Sequence, residues 1–152
     1  MKKVKYQTTF RTVKSLIEDE SDIVSVMSTI ACELYHAFAP FIWVGFYRLV
    51  EGTSLKVGPY QGTHGCLTIS MEQGVCGKCV REDAIQVEND VSAIPYHIAC
   101  SSETKSEIVL PVRDLNRKIR AVLDVDSNKM NSFDEIDRQY LAEICELISP
   151  CY

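Results

Sequence analysis

The stretch FIWVGFYRL, residues 41–49, decides how this chain is expected to fold. Its aromatic and β-branched side chains favour a β-strand. The turn sequence Glu51-Gly52-Thr53 follows closely, and residues 54–60 (SLKVGPY) have the composition of a second strand. Because two strands joined by so short a turn pair with each other in antiparallel fashion, the sequence predicts a β-hairpin here.

Two helices are predicted before this hairpin. Residues 6–20 carry apolar side chains at helical spacing. Ser21 and Asp22 are typical of the N-cap of a second helix, whose apolar residues recur every three or four positions. Pro40 ends that helix directly before the hairpin begins.

The rest of the chain alternates short strands with two helices. Strands are predicted at residues 66–69, 84–87, 108–112 and 119–125, and helices begin at Gly74 and within residues 132–135. The order is therefore α-α-β-β-β-α-β-β-β-α, with helices gathered at the termini. This order predicts a single α+β domain over residues 1–152, an antiparallel sheet with the helices from both termini packed on one face.

Composition excludes several classes of function. The chain has 152 residues and a net charge of −5, so it lacks the basic surface of a nucleic-acid-binding protein. No apolar run approaches the roughly 20 residues that span a membrane, and no apolar segment follows the basic first residues as in a secretory signal. We expect a cytoplasmic protein whose seven cysteines are reduced and reactive or metal-binding, and not a disulfide framework.

Three cysteines stand in contexts that favour chemistry over packing. Cys66, Cys76 and Cys100 lie beside glycine, proline or polar residues, outside any regular apolar stripe. Cysteine carries function mainly through reactivity. Cys100 also lies in an irregular stretch between residues 87 and 107, and loops of that length are usually functional, often as lids.

The sequence CGKC, residues 76–79, is compatible with a redox pair or with half of a zinc site. A redox pair needs a βαβ context that is weak here. A zinc site needs two more ligands, for which only isolated candidates exist (Cys66, Cys100, His64 and His97). We therefore expect no metal, and we expect Cys79 to pack as a small apolar residue.

Glu107, Asp124 and Asp126 form a candidate acidic group. Asp124 and Asp126 flank a single valine, so both point to one face of their predicted strand. Glu107 begins the strand expected to pair with it. Together they can bind an ammonium group, or one can stay protonated as a general acid; the alternative is a solvent-facing role at the strand ends.

Trp43 and Tyr47 share a strand face because they are four residues apart. Aromatic side chains in such a position either wall a small-molecule site or belong to the core. The residues alone do not distinguish these two roles.

Six motifs resemble one known family, the free methionine-(R)-sulfoxide reductases, which are small enzymes with the GAF fold. The motifs are WVGFY (43–47), GPYQG (58–62), GVCG (74–77), HIAC (97–100), SEIVLP (106–111) and VLDVDS (122–127). The resemblance covers nearly the whole chain. The chain departs from the family pattern at Ser101, where an aspartate is usual after the nucleophile, and in its additional Cys79.

The resemblance implies roles for the cysteines. Cys100 is the nucleophile that attacks the sulfoxide sulfur and becomes a sulfenic acid, and Cys66 resolves it to a disulfide. Cys76 is similar to a third redox cysteine of the family, and the choice of resolving partner among Cys66, Cys76 and Cys79 stays open. NADPH-dependent thioredoxin is the implied reductant, with no bound cofactor.

The resemblance also implies a substrate site and an assembly. Glu107, Asp124 and Asp126 resemble carboxylates that hold free methionine-(R)-sulfoxide and assist at its oxygen, while Trp43 and Tyr47 resemble the aromatic wall around its thioether end. Domains of this kind often form homodimers. The alternative function is a non-catalytic GAF module that binds a small ligand or senses oxidants.

Overall fold

A computed structural model of the protein describes residues 1–98 and 100–152, so Ala99 of the HIAC motif lies outside the described residues. The elements are α1 (Lys2–Leu16), α2 (Ile23–Ala37), β1 (Phe41–Val50), β2 (Ser54–Gly62), β3 (Thr68–Ser70), α3 (Gly74–Glu82), β4 (Gln86–Glu88), β5 (Ser106–Arg113), β6 (Ile119–Ser127) and α4 (Glu135–Glu146), with short 3₁₀ helices at Val91–Ala93 and Ser149–Cys151. This is the predicted order of helices and strands.

The six strands form one antiparallel sheet in the order β3-β2-β1-β6-β5-β4. The predicted hairpin is β1–β2, and its turn contains Glu51 and Gly52 with φ of 54° and 68°. β1 lies inside the sheet between β2 and β6, which agrees with its apolar sequence. The predicted α+β class and antiparallel sheet are confirmed.

The helices from both termini cover one face of the sheet. Strand alternation turns Val44 and Phe46 of β1 toward α1, α2 and α4, where they join the larger core. Trp43 and Tyr47 point to the opposite face, where a smaller core packs against α3. The second face is covered only by α3 and the loop between β4 and β5, so it has room for a site.

The first helix begins four residues earlier than the apolar pattern predicts. Lys2 Nζ donates hydrogen bonds to the carboxylates of Asp134 and Asp137, and the Tyr6 hydroxyl donates to Asp137 Oδ1 at 2.7 Å. These contacts attach the first turn of α1 to the start of α4. The pattern missed this turn because it is held by polar contacts more than 130 residues away in sequence.

None of the helices within residues 1–98 and 100–152 is long and apolar enough to cross a membrane.

The aromatic layer on β1 requires glycine at residue 45. The Trp43 ring lies over Gly45 and stacks on Tyr47 and Tyr60, with centroid separations of 5.6 and 5.3 Å. A Cβ at residue 45 would overlap both the Trp43 ring and Tyr60 Cβ. Either the ring or the strand must then move.

We predict that Gly45→Ala lowers the free energy of unfolding by about 1–3 kcal/mol, because overpacking forces side chains from their preferred positions. Trp43 is the only tryptophan, so its emission spectrum should shift as well. Urea titration followed by Trp43 fluorescence measures both. Gly58→Ala is the control, because its Cβ would meet Phe46 O at 3.1 Å and leave the Trp43 ring alone. If Gly45→Ala has the emission spectrum and the stability of the wild type, the aromatic layer does not require glycine at residue 45.

Candidate functional site

A cavity lies on the second face of the sheet, enclosed by β1, β5, β6, the first turn of α3 and the loop of residues 89–105. Seven of the eight sequence-predicted site residues line it: Trp43, Tyr47, Cys76, Cys100, Glu107, Asp124 and Asp126. The eighth, Cys66, is bonded to Cys100. The structure therefore brings the predicted thiols, carboxylates and aromatic rings together.

Cys66 and Cys100 form a disulfide, with their Cα atoms 5.7 Å apart and a sequence separation of 34. Cys66 lies on the segment between β2 and β3, and Cys100 lies on the loop between β4 and β5. Both side chains are half-buried. This pairing is the one that the family resemblance implies.

The register of β5 on β6 brings the three carboxylates together. Glu107 is directly opposite Asp126, and Val109 is opposite Asp124, so all of these side chains point to the same face. Glu107 and Asp124 are each only 6% exposed, and Asp126 is half-buried. The prediction that these acids share one pocket agrees with this geometry.

Burial makes these carboxyl groups hard to ionise. Desolvation raises the pKa of Glu107, Asp124 and Asp126 well above their ordinary values, and repulsion from a neighbouring carboxylate raises each pKa further. No lysine or arginine lines the cavity within the described part of the chain. The cavity therefore favours the protonated form of these carboxyl groups.

Cys76 faces the carboxylates from the first turn of α3. Its Sγ and carboxylate oxygens of Glu107 and Asp124 all lie within 4.8 Å of one another. Burial raises the pKa of the Cys76 thiol well above its ordinary value, so the thiol is protonated at neutral pH. Cys79, one turn later, is fully buried in the smaller core, where burial raises its pKa to about 12. That environment agrees with its predicted packing role.

The aromatic wall lies beside the disulfide. Trp43 Nε1 donates a hydrogen bond to the Thr63 carbonyl at 2.9 Å, which fixes the indole ring. A Cβ at residue 65 would lie 3.0 Å from both the Trp43 ring and the Tyr47 hydroxyl oxygen. Glycine at this position thus lets the segment that carries Cys66 approach the wall closely.

His97 is a site residue whose contact the sequence reasoning missed. Its Nε2 lies 3.4 Å from Glu107 Oε2, and its side chain is 12% exposed. Burial lowers the His97 pKa, which favours the neutral imidazole. The sequence places His97 near Cys100, but it contains no local signal for where a loop side chain meets a strand ten residues further on.

A second feature that the sequence reasoning missed holds the loop in place, and we call it the loop anchor: Lys78, Tyr96 and Glu88. Lys78 Nζ donates to the Tyr96 hydroxyl at 3.0 Å and lies 5.1 Å from the ring centroid. The Tyr96 hydroxyl donates to Glu88 Oε1 at 2.8 Å. The anchor joins the loop to α3 and to β4, directly beside His97.

We predict that Tyr96→Phe loosens the loop, because it removes both hydrogen bonds, each worth about 0.5–1.5 kcal/mol, and keeps the ring. Hydrogen–deuterium exchange of peptides covering residues 89–105 should become several-fold faster, with unchanged exchange in α4. Tyr152→Phe, far from the loop in sequence, is the matched control. Unchanged exchange in Tyr96→Phe would contradict the role of the anchor.

We predict that Asp124→Asn stabilises the protein at neutral pH. Burial and Glu107 raise the pKa of Asp124 above its ordinary 3.8, so the folded state binds the proton more tightly than the unfolded state. Stability is therefore lost as the pH rises from about 4 toward the folded-state pKa, by up to about 1.4 kcal/mol per unit of pKa difference. Asparagine removes this loss.

Urea denaturation at pH 4 and pH 7 measures the effect, which should be larger at pH 7. Asp22→Asn is the control. Asp22 is the exposed N-cap of α2, and the hydrogen bond from the Ser25 amide lowers the pKa of its carboxyl group, so no gain in stability is expected from the substitution. If Asp124→Asn is no more stable than the wild type at pH 7, the raised pKa of Asp124 in the folded state is contradicted.

Comparison with known proteins places this geometry in a family. The sequence pattern of the GAF domain matches residues 18–150. Protein YtsP of Bacillus subtilis is 39% identical over 94% of this chain and 88% of its own length. Free methionine-R-sulfoxide reductase of Saccharomyces cerevisiae is 33% identical over 90% of this chain and 79% of its own length.

A solved structure extends the likeness to three dimensions. The X-ray structure of free methionine-R-sulfoxide reductase from Neisseria meningitidis in complex with its substrate superposes with a TM-score of 0.94, at 36% identity, over 99% of this chain and 90% of that one. The chain is therefore a member of the GAF domain family and a close relative of the free methionine-R-sulfoxide reductases.

Proposed function

We propose that this protein reduces free methionine-(R)-sulfoxide to methionine, with Cys100 as the nucleophile and Cys66 as the resolving cysteine. The observation that carries the proposal is the Cys66–Cys100 disulfide at a cavity lined by three carboxyl groups, of which Glu107 and Asp124 are buried and Asp126 is half-buried. The relatives named free methionine-R-sulfoxide reductases support it.

The first step removes the oxygen atom from the sulfoxide. The Cys100 thiolate attacks the sulfoxide sulfur and forms an S–S bond, while the sulfoxide oxygen takes up two protons and leaves as water when the S–O bond breaks. A water molecule then attacks Cys100 Sγ, the S–S bond breaks, and one proton is released. The products are methionine and the sulfenic acid of Cys100, so the substrate sulfur is reduced by two electrons and the cysteine is oxidised by two.

The second step closes the disulfide. The Cys66 thiol condenses with the sulfenic acid, and water leaves with the oxygen. An external dithiol then attacks the disulfide, releases both thiols and becomes a disulfide itself. Thioredoxin, reduced by NADPH, is the proposed donor, and the protein needs no bound cofactor. A homodimer stays a prediction from the family resemblance.

The carboxyl groups supply acid and charge. A sulfoxide oxygen leaves poorly unless it is protonated, and the raised pKa values of Glu107, Asp124 and Asp126 keep protons available at neutral pH. The carboxyl groups that ionise can pair with the substrate ammonium group, which needs an opposite charge when it is buried. Trp43 and Tyr47 would contact the thioether end.

The disulfide form is closed to an amino acid. Its cavity volume is about 30 Å³, which is room for one or two water molecules. We therefore expect the loop that carries Cys100 to move before substrate enters, once reduction of the disulfide has released it. A loop that then closes over the site would exclude a peptide chain, so we expect the protein to act on the free amino acid.

We predict that Cys100→Ser abolishes loss of free methionine-(R)-sulfoxide, because the nucleophile is gone. Cys66→Ser should form one equivalent of methionine per chain and then stop, since the disulfide that thioredoxin reduces cannot form. The assay couples NADPH oxidation to thioredoxin and compares the R and S epimers, free and peptide-bound. Activity is expected with the free R epimer alone.

Cys79→Ser is the matched control, because it removes a buried thiol three residues from Cys76 without touching the disulfide. It should keep turnover. Full activity of Cys100→Ser would overturn the proposal. Retention of a small ligand with no thioredoxin-dependent turnover in the wild-type protein would favour the non-catalytic GAF module instead.

A further inference from the structure

We propose that the closed cavity is also a binding site for a thiophilic divalent cation, with Zn²⁺ as the best match. The donors are Sγ of Cys76 and carboxylate oxygens of Glu107 and Asp124, all within 4.8 Å of one another and all buried. The sequence predicted no metal because the donors come from α3, β5 and β6 and form no local motif.

A second observation points to a missing ligand. Asp124 Oδ1 is buried without a hydrogen-bond partner among the described residues, and Glu107 Oε2 makes no hydrogen bond there beyond its 3.4 Å contact with His97 Nε2. Both side chains are only 6% exposed and both line the cavity. Buried polar atoms are nearly always paired, so these two acceptors in one small cavity indicate that something positively charged or hydrogen-bonding belongs between them.

The donor set selects the ion. One thiolate and two carboxylates suit Zn²⁺, which takes sulfur, nitrogen and oxygen ligands in tetrahedral geometry. His97 Nε2 lies 3.4 Å from Glu107 Oε2 but does not belong to this cluster of donors, so a water molecule would be the fourth ligand. Mg²⁺ and Ca²⁺ are disfavoured because they require six or more oxygen ligands.

The size of the cavity agrees with an ion. About 30 Å³ accommodates a cation with one water molecule but excludes an amino acid. Bond lengths of about 2.0–2.3 Å around a tetrahedral Zn²⁺ separate the ligand atoms by roughly 3.3–3.8 Å. The donors, which lie within 4.8 Å of one another, must therefore approach by about 1 Å when the ion binds.

Binding would replace protons with metal. The Cys76 thiol and any protonated carboxyl group release their protons to solvent, and the metal compensates two of the three negative charges that its donors then carry. Since the same carboxylates would hold the substrate, Zn²⁺ should also exclude it. This inhibitory consequence rests on the proposed function, whereas binding of the ion does not.

The test uses the full-length protein in its disulfide form, which leaves Cys76 as the only free thiol that lines the cavity in the described structure. Co²⁺ serves as a spectroscopic probe, and Zn²⁺ affinity is measured by competition with a chelator. We expect one Co²⁺ per chain with a thiolate-to-metal charge-transfer band that Zn²⁺ abolishes and Mg²⁺ does not.

Cys76→Ser should remove the charge-transfer band. It should also weaken Zn²⁺ binding by more than roughly 10- to 100-fold, because that is the loss when a residue that merely hydrogen-bonds to a metal ligand is removed. Asp124→Asn, which also relieves the buried charge, should weaken binding and stay folded. Cys79→Ser and Cys32→Ser should bind as the wild type; the second controls for the half-exposed Cys32–His36 pair on α2.

Absence of saturable binding, or binding that survives both Cys76→Ser and Asp124→Asn, would overturn the site. Inhibition is a separate measurement, in which Zn²⁺ should raise the apparent KM for free methionine-(R)-sulfoxide in wild type. Because the spectra need no turnover, failure of the metal site and failure of the proposed reaction are distinguishable.

Discussion

The pairing register between β5 and β6 is the constraint on which the site depends. It sets Glu107 opposite Asp126 and leaves Asp124 two residues away on the same face. A slip of one residue in β6 would turn both aspartates toward the helices and into the larger core, where no cation or solvent could reach them. The apolar residues that alternate with them, Leu123 and Val125, hold the register because they are fully buried in that core.

This register places the acidic groups where ionisation of a carboxyl group is energetically unfavourable. Buried carboxyl groups without a basic partner keep their protons or destabilise the fold. The same property makes the cavity receptive to positive charge, whether from a substrate ammonium group or from a metal ion, and it keeps acidic protons beside the disulfide. The clustering of these carboxyl groups therefore underlies both the proposed chemistry and the electrostatic destabilisation of the fold.

Sequence patterns predicted much of this arrangement. Alternation in β6 placed Asp124 and Asp126 on one face, and the aromatic, β-branched run of β1 predicted the central hairpin. Contacts made across the fold were not predictable in this way. The start of α1 depends on Lys2 with Asp137, and the loop depends on Tyr96 with Glu88 and on His97 with Glu107. Such contacts join side chains whose directions are set only when the whole domain has packed.

In the proposed reaction, oxidation of Cys100 by a sulfoxide ends in a bond to Cys66. The most direct measurement mixes the fully reduced protein with one equivalent of free methionine-(R)-sulfoxide, alkylates the remaining thiols and maps the peptides by mass spectrometry. We expect one methionine formed per chain, a Cys66–Cys100 cross-link, and alkylated Cys76 and Cys79. Methionine formation with Cys66 fully alkylated, or no methionine at all, would contradict the proposed reaction.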